Sequence, residues 1–403
     1  MSDTLAGIRV LDLSRMLAGP YGSMLLADMG AEVIKVEDPD GGDPIREMGP
    51  PFVEGESAYF LAINRNKKSV SLDLKQDRGR ELFLELVRAS DVVYDNFRPG
   101  VTRRLGIDHD RLVEVRPGLV TCSVSAFGQD GPYRDLPAFD VILQAMGGGM
   151  SITGEPGRPP VRMGIPIGDL AGGMFAALAI SAALFRRERT GEGQHIDLGL
   201  LDAQVSLLTY VAQYTLTDGR VPEPIGTAHQ SVVPYQAFAT ADGFLVVAVF
   251  TDRFWPPFCE ALELPELVSR YPRNTDRHAA REELVRILEQ RFTERTTDEW
   301  FDVLREAGVP CGPVNTVDQV LADPHVLHRE MVVDAARPHP VAGEHRLVGN
   351  PIKVGPAQRD GPTGVSDRFD PAPLLGEHND EVYGGLLGLD TSELGRLRTQ
   401  GVV

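Results

Sequence analysis

The chain is 403 residues long, is 42% hydrophobic and carries a formal net charge of −18. This length predicts about two domains, and the hydrophobic content predicts a substantial buried core. The excess of acidic residues argues against nonspecific binding to nucleic acid and against attraction to anionic membranes, so an anionic ligand would need a local basic patch.

Sequence signals for export and for membrane insertion are weak. The longest apolar run, Met174–Phe185, is about twelve residues, whereas a membrane span needs roughly 20. The first residues, MSDTLAGIRVLDLS, lack the basic and apolar regions of a secretory signal. Cys122, Cys259 and Cys311 are too scattered for a disulfide framework. We therefore expect a reduced, cytoplasmic protein that does not enter a membrane.

Short β-rich segments alternate with helical segments between residues 8 and 127. Gly30 and the Ala89–Ser90 pair mark helix ends. The alternation predicts βαβ units and therefore an α/β fold with an open, mostly parallel, doubly wound sheet. The predicted strands cover 8–13, 32–37, 69–74, 91–96 and 119–127, and the predicted helices between them cover 20–29 and 77–89.

The rest of the chain predicts further helices and a smaller second α/β domain. A Pro- and Gly-rich segment at 218–234 is typical of a linker, and Asp242-Gly243 predicts the turn of a hairpin. Helices are predicted at 138–149, 169–187, 251–263, 278–291 and 297–307, with a strand at QHIDLG leading into another long helix. The predicted boundaries are a large domain over 1–200, a linker helix over 201–224, a small domain over 225–325 and a C-terminal segment over 326–403.

Asp169 lies in the stretch GIPIGDLAGG, just before a long apolar run. Aspartate in such a position is a favoured helix N-cap, which accepts backbone N–H bonds. The helix N-terminus would also favour its ionised form, and an ionised carboxylate is the reactive species in covalent acyl transfer. Gly172 and Gly173 are costly inside a helix, which favours a function in which they admit an acyl carbonyl and leave N–H groups bare for an oxyanion. The sequence thus predicts both a cap and a candidate nucleophile at this residue.

Two groups of cations stand out in this acidic chain. The first lies in NRNKKSVSLDLK, and the second lies in NFRPGVTRRLG, which follows a predicted strand. Ligands of open α/β sheets bind beyond the carboxyl ends of the strands, so these side chains are candidates for holding phosphates. Ordinary surface charge explains each group, taken alone, equally well. The cations are Arg65, Lys67, Lys68 and Lys75 in the first group and Arg98, Arg103 and Arg104 in the second.

Several common active-site motifs are absent from the sequence. There is no GxxxxGK[ST] loop, and DLSRMLAGPYG rather than GxGxxG follows the first strand. His325 and His328 lack the further ligands of a metal site, and there is no GxSxG elbow. These absences argue against a nucleotide triphosphatase, an ordinary dinucleotide oxidoreductase, a metalloenzyme and a serine hydrolase.

A set of motifs spread over nearly the whole chain resembles the family III CoA-transferases, the formyl-CoA transferase and CaiB/BaiF family. The opening GIRVLDLSRMLAGPYGSMLLADMGAEVIKVEDPDGGD is similar to the opening of that family. The similarity continues in the family's order through NKKSVSLDLK, NFRPGV with LG, GQDGPYRDLPAFD, GDLAGG, RTGEGQHIDLGLLDA, GVPCGPVN and PLLGEHNDEV.

The resemblance implies a Rossmann-like large domain built from both chain termini, a small central domain and a homodimer of two interlocked chains. It also implies that CoA enters and leaves as a substrate, that no cofactor or metal is permanently bound, and that Asp169 of the GD motif is the nucleophile. Asp38 and Pro137 depart from the pattern because some members have cations there, and Lys67, Lys68 or Arg98 would take over their phosphate contacts. The CoA-contacting positions implied here are Leu17, Ala18, Leu72, Asp73, Leu74, Lys75, Asn96, Phe97, Arg98 and Arg104.

The activity implied by the resemblance is transfer of CoA from an acyl-CoA, with succinyl-CoA as the suggested donor, to a small carboxylic acid. The segment GTAHQSVVPYQAF replaces the glycine-rich lid of the oxalate-using members, which argues against oxalate. 2-Methylacyl-CoA racemases share the fold but have histidine just before the aspartate in the block that follows GQxGP. Here that block is AFDVILQ, and Phe139, which precedes Asp140, cannot exchange a proton. Transferase is therefore the preferred prediction; a racemase and a catalytically idle acyl-CoA-binding protein are the alternatives.

Overall fold

The computed structural model describes residues 4–354 and 369–403, so residues 355–368 of the predicted C-terminal segment lie outside the described residues. The chain forms two compact units. Unit 1 comprises Met1–Gly149, Arg162–Gln213 and Asp323–Val403, and unit 2 comprises Met150–Val161 and Tyr214–Ala322. Residues 150–161, which the predicted large domain of 1–200 included, thus belong to unit 2.

Short strands, mostly of three to six residues, occur in both units. They are β1 (Arg9–Asp12), β2 (Glu32–Glu37), β3 (Phe52–Val53), β4 (Glu56–Ser57), β5 (Lys67–Ser71), β6 (Val92–Asp95), β7 (Val120–Ser125), β8 (His195–Gly199), β9 (Tyr235–Ala239), β10 (Phe244–Ala248), β11 (Cys311–Pro313), β12 (Val332–Asp334) and β13 (Arg346–Val348).

The helices connect these strands or cover the sheets. They are α1 (Ala18–Asp28), α2 (Ala58–Ile63), α3 (Asp77–Arg88), α4 (Val101–Leu105), α5 (His109–Val115), α6 (Asp140–Met146), α7 (Ile167–Thr190), α8 (Leu200–Leu207), α9 (Thr209–Asp218), α10 (Trp255–Ala261), α11 (Glu266–Arg270), α12 (Asn274–Ala279), α13 (Arg281–Phe292), α14 (Thr297–Glu306), α15 (Val317–Ala322), α16 (Pro324–His328) and α17 (Thr391–Thr399). Short 3₁₀ helices cover Pro44–Glu47, Gly149–Ser151 and Asp252–Phe254, and a π-helix covers Asp380–Leu386.

A six-stranded parallel sheet with the order β5-β2-β1-β6-β7-β8 forms the centre of unit 1, which confirms the predicted fold class. Successive side chains of each strand point to opposite faces, so both faces of the sheet are apolar. Val10, Val33 and Val92 pack on one face with α1 and α7. Leu11, Ile34 and Val93 pack on the other face with α3 and α5. The sheet is therefore buried on both sides, as a parallel sheet requires.

Helix α7 is the longest helix in the described part of the chain, and it packs against α1 and the sheet. By length and composition alone it could cross a membrane, with a mean hydropathy of 1.7 over an 18-residue window. Half of that window is buried inside the protein, which is the usual environment of a core helix. The buried half of the apolar run after Asp169 therefore forms the surface with which α7 packs against α1 and the sheet.

Unit 2 contains a three-stranded antiparallel sheet with the order β11-β10-β9. The hairpin predicted around Asp242-Gly243 is confirmed, because β9 and β10 pair from Ala239 opposite Phe244 outward. A core that includes Trp255, Phe292 and Trp300 packs behind this sheet, and the Nε1 atom of Trp300 donates to the Phe292 carbonyl at 2.8 Å.

Candidate active site

Asp169 is the third residue of α7, inside the first turn of the helix rather than at its cap. The capping residue is Pro166, and the Asp140 carboxylate of α6 accepts the N–H groups of Gly168 at 2.8 Å and Asp169 at 3.3 Å. The predicted N-cap role of Asp169 is therefore wrong, because a side chain from another helix satisfies the first N–H groups of α7. In the described residues the Asp169 carboxylate accepts no hydrogen bond of its own.

The surroundings of Asp169 disfavour its ionised form. Burial, and to a lesser extent the nearby charge of Asp140, raise the pKa of Asp169 to about 7. The expected stabilisation of the carboxylate by the helix N-terminus is thus outweighed by desolvation. Asp169 is a partly buried carboxyl group that gains and loses a proton near neutral pH, as is typical of carboxylates at functional sites.

Tyr59 of α2 is a neighbour of Asp169 that the sequence analysis missed. Burial is the main cause that raises the pKa of Tyr59 to about 12, and the charges of Asp169 and Asp140 act in the same direction. Tyr59 shares a hydrophobic cluster with Leu17 and with Leu170, the residue after Asp169. The phenol therefore keeps its proton at neutral pH and is a hydrogen-bond donor within electrostatic range of the Asp169 carboxylate.

Gly172 and Gly173 serve close packing and do not present free N–H groups. They lie in the second turn of α7, where N–H groups bond to carbonyls one turn earlier in the helix. A Cβ atom on Gly172 would lie 2.1 Å from Leu200 Cδ2, and one on Gly173 would lie 2.6 Å from the Ala18 carbonyl oxygen of α1. The expectation that these glycines admit the substrate and support an oxyanion is therefore wrong.

We expect Gly173→Ala to destabilise the protein by about 1–3 kcal/mol, because the added methyl group meets main-chain atoms of α1 that cannot move aside. Urea unfolding measures the change. Gly395→Ala in α17 is the matched control: nothing lies within 4 Å of the added Cβ, so stability should be unchanged or rise by up to about 1 kcal/mol. Full stability of Gly173→Ala combined with loss of activity would instead indicate that the space at this glycine is needed by the substrate.

The loops after β1 and β6 meet at the point where the strand order reverses, since β1 lies between β2 and β6. Open α/β sheets bind ligands at such a point. Asn96 joins the two loops, because its amide accepts from the Arg15 N–H at 2.8 Å and donates to the Arg15 carbonyl at 2.7 Å. The Arg15 guanidinium lies 5.5 Å from the centre of the Phe97 ring. The structure thus brings four predicted CoA positions together here, namely Leu17 and Ala18 after β1 and Asn96 and Phe97 after β6.

The next group of predicted CoA positions follows β5, the outermost strand of the same sheet, at its carboxyl end. The group comprises Leu72, Asp73, Leu74 and Lys75. The exposed Lys75 ammonium pairs with Asp38 at 3.0 Å, and this pairing raises the pKa of Lys75. Arg15 interacts electrostatically with both of these groups, so it adds a cation that the sequence analysis missed. Arg98 and Arg104 are exposed, and neither forms an ion pair with the residues that the structure describes.

Three cations of the first basic group are unavailable for phosphate binding. The Lys67 ammonium is fully buried, with Pro20 O and Asn64 Oδ1 at 2.9 Å and Asp12 Oδ2 at 3.2 Å. Lys68 pairs with Glu32 and Glu381, and the buried Arg65 pairs with Asp28. The suggestion that Lys67 or Lys68 takes over phosphate contacts is therefore wrong, since these side chains hold the fold together.

The fold and the site define an α/β protein with a perturbed carboxyl group beside the ligand-binding edge of a parallel sheet. Residues 5–379 match the model of CoA-transferase family III, and the chain belongs to that family. It is therefore a CoA-transferase.

Individual relatives cover nearly the whole chain. Succinyl-CoA:glutarate CoA-transferase of Homo sapiens is 40% identical and covers 99% of this chain and 90% of its own length. Succinyl-CoA:mesaconate CoA-transferase of Haloarcula hispanica is 41% identical, with 94% of this chain and 95% of that protein covered. The crystal structure of a CaiB/BaiF family protein from Brucella suis has a TM-score of 0.83 and 37% identity, covering 96% of this chain and 100% of that one.

Proposed function

We propose that this chain transfers CoA from succinyl-CoA to a small dicarboxylic acid through covalent intermediates on Asp169. The observation that carries the proposal is the Asp169 carboxyl group itself, which is partly buried, accepts no hydrogen bond from the described residues and has a pKa of about 7. A desolvated carboxylate without donors is more nucleophilic than a solvated one, because no bonds to its oxygens need to break before attack.

The proposed reaction has four steps. The Asp169 carboxylate attacks the donor thioester, which gives a mixed anhydride and CoA thiolate. The thiolate then attacks the aspartyl carbonyl, which forms an aspartyl thioester and releases the donor acid with one Asp169 oxygen. In the third step the acceptor carboxylate attacks that thioester, which gives a second mixed anhydride, between Asp169 and the acceptor, and releases CoA thiolate. In the fourth step the thiolate attacks the acceptor's acyl carbonyl in this anhydride. The products are the new acyl-CoA and Asp169 with one oxygen from the acceptor.

The choice of substrates rests on the relatives. Curated relatives at about 40% identity are named for succinyl-CoA as donor and for glutarate or mesaconate as acceptor. Both acceptors are dicarboxylic acids. We assign the same class to this chain, with glutarate as the first acid to test.

CoA is placed along the sheet edge that carries Leu17, Ala18, Asn96 and Phe97, with Arg15, Lys75, Arg98 and Arg104 as candidate phosphate ligands. Lys75, Arg98 and Arg104 are exposed and Arg15 is partly exposed, and Arg98 and Arg104 form no ion pair in the described chain, which supports this assignment. The Tyr59 hydroxyl is the proposed hydrogen-bond donor to the oxyanions of the reaction. These form at the acyl carbonyl when Asp169 attacks it and at the aspartyl carbonyl when thiolate or acceptor attacks Asp169.

An isotope experiment tests the covalent route. Glutarate labelled with ¹⁸O in its carboxylates is incubated with succinyl-CoA and the enzyme, and peptides are analysed by mass spectrometry. After a single turnover, one ¹⁸O atom in the peptide that contains Asp169, together with glutaryl-CoA, is the expected result, and repeated turnovers should label both Asp169 oxygens. Glutaryl-CoA without label in Asp169 would contradict the anhydride route. Exchange of an α-proton of an acyl-CoA with solvent, without CoA movement, would indicate the racemase alternative.

Substitution of Arg98 should affect CoA binding but not stability, whereas substitution of Lys67 should affect stability. Arg98→Gln is expected to raise the KM for the acyl-CoA about tenfold, with a weaker dependence on salt and a stability change below about 0.5 kcal/mol. Lys67→Met should cost about 3–5 kcal/mol, because it leaves the buried Asp12 charge without its partner. Steady-state kinetics and urea unfolding distinguish the two effects. A raised KM in a fully stable Lys67→Met protein would contradict this division.

We also propose that the chain forms a homodimer. Large apolar side chains are exposed along α6 and α7 of unit 1, and Leu178 and Phe185 are each 65% exposed. Large apolar side chains exposed on two helices that contact each other are a feature of protein interfaces. Sedimentation velocity should give twice the monomer mass of 43.9 kDa, and a monomer would overturn the proposal.

A further inference from the structure

A cavity of about 1170 Å³ lies entirely within unit 2. One wall is the start of α13, with Arg281 and Val285, and another is the segment after α9, with Val221 and Ile225. The volume is slightly above the usual range of small-molecule sites, and the walls combine apolar side chains with a larger number of polar and charged ones.

The loop over residues 229–231 borders this cavity and is fixed by three side chains. Arg281 Nη2 donates to the carbonyls of His229 at 2.9 Å and Gln230 at 3.0 Å. His278 Nε2 lies 3.1 Å from the Gln230 carbonyl, and Asn274 Nδ2 donates to the Ser231 carbonyl at 2.8 Å. Because these bonds use consecutive carbonyls, the loop has a defined position before any ligand binds.

Arg281 has no anionic partner in the part of the chain that the structure describes. Burial alone lowers the pKa of Arg281, with no acidic group acting in the opposite direction. By contrast, Arg220 in the same cavity pairs with Asp218. A partly buried guanidinium normally has a carboxylate or phosphate beside it, because neutral carbonyls repay only part of its desolvation cost. An anion is therefore the missing partner.

The other groups in the cavity limit the kind of anion. Glu223 and Glu282 also line it, and their charges repel a polyanion such as a phosphate ester. Of the two further cations in the lining, Arg220 is paired with Asp218 and Arg286 is exposed to solvent. Val221, Ile225 and Val285 offer apolar surface beside the charge. A single carboxylate on a hydrocarbon body fits these features, and it would accept from Nη1 of Arg281, since Nη2 already donates to the two loop carbonyls.

We infer that unit 2 contains a binding site for an organic acid, in which the carboxylate pairs with Arg281 and the hydrocarbon part lies against Val221, Ile225 and Val285. The site is formed by unit 2 alone, so its ligand would bind whether or not Asp169 is a nucleophile. This inference goes beyond the proposed transfer reaction.

Methyl NMR of the full chain tests the site directly. The protein is labelled at Ile and Val methyl groups in the Asp169→Asn background, so that no covalent chemistry interferes. The Ile225 and Val285 signals are followed during titration with glutarate, with hexanoate as a monocarboxylate and with adenosine 3′,5′-bisphosphate as a phosphate ligand. We expect saturable shifts with the acids and none with the bisphosphate.

Two substitutions test the role of Arg281 without releasing the loop. Val285→Glu places a carboxylate one helical turn from Arg281, where it can pair with the guanidinium in place of the ligand. Acid binding, measured from the Ile225 signal, should therefore weaken about tenfold or more. Val285→Gln is the matched neutral variant: it loses the same apolar contact as Val285→Glu, so the difference in affinity between the two measures the effect of the added charge alone. Glu289→Gln changes an exposed charge of the same helix outside the cavity and should alter the affinity by less than about threefold.

Three results would overturn the inference: no saturable shift at Ile225 with either acid, equal affinity in Val285→Glu and Val285→Gln, or a response to the bisphosphate alone. The ¹⁸O experiment at Asp169 has a separate readout. Failure of one proposal therefore does not imply failure of the other.

Discussion

Replacement of Asp169 by asparagine is expected to stabilise the protein at pH 8.5 and to have a much smaller effect at pH 5. The pKa of Asp169 is about 7 in the folded state, whereas the unfolded chain ionises near the ordinary value of 3.8. Between these values the folded state binds more protons than the unfolded state, so stability falls as the pH rises and the penalty is complete above pH 7. Ionisation of the partly buried Asp169 lowers the free energy of unfolding by roughly 2–4 kcal/mol at pH 8.5 and by less than half of that at pH 5, and an uncharged amide avoids this loss. Urea unfolding at both pH values measures the difference.

The same substitution should reduce CoA transfer by at least about 1,000-fold, because an amide oxygen is a poor nucleophile. Glu188→Gln is the matched control, since it removes an exposed carboxylate from the same helix and should alter neither stability nor transfer. Equal stabilisation by Asp169→Asn at pH 5 and pH 8.5 would mean that Asp169 ionises normally in the folded protein. A stabilised variant that retains transfer would contradict the nucleophile assignment.

The parallel sheet could be predicted because its strands carry local signals. The strand predicted at 32–37 coincides with β2, and those at 91–96 and 119–127 overlap β6 and β7. The strand predicted at 69–74 is displaced, since β5 begins at Lys67. A buried lysine resembles a loop residue in sequence, and only the distant Asp12 and the nearby Asn64 make its burial possible.

The position of the candidate nucleophile could also be predicted, but its chemistry could not. Gly-Asp before an apolar run indicated Asp169, whereas its raised pKa depends on burial and on Asp140, which lies on another helix. Glycines at 172 and 173 suggested access for substrate, and the structure shows helix contacts that no local pattern reveals. Tyr59 carried no signal because it reaches Asp169 only through tertiary packing.

Asp140→Asn is expected to move the pH dependence of transfer to lower pH. Asp169 must be ionised to attack, so the rate should rise with pH up to about 7 and then level off. The introduced amide keeps an oxygen for the N–H groups of Gly168 and Asp169 but removes the negative charge that raises the pKa of Asp169. Because burial is the larger cause, we expect a displacement of about one pH unit or less. The midpoint of kcat/KM between pH 5.5 and 9 measures it.

Asp140→Ala separates this charge effect from positioning. It removes the acceptor for two helix N–H groups and for Gln144 Nε2, which should cost about 2–4 kcal/mol of stability and reduce kcat at every pH. Asp135→Asn removes an exposed carboxylate from the preceding loop and is the matched control, with no expected change in either quantity. A midpoint that stays in place or rises in Asp140→Asn would mean that the charge of Asp140 does not act on Asp169. Asp140 would then be a helix cap alone, and the pKa of the nucleophile would be set by burial.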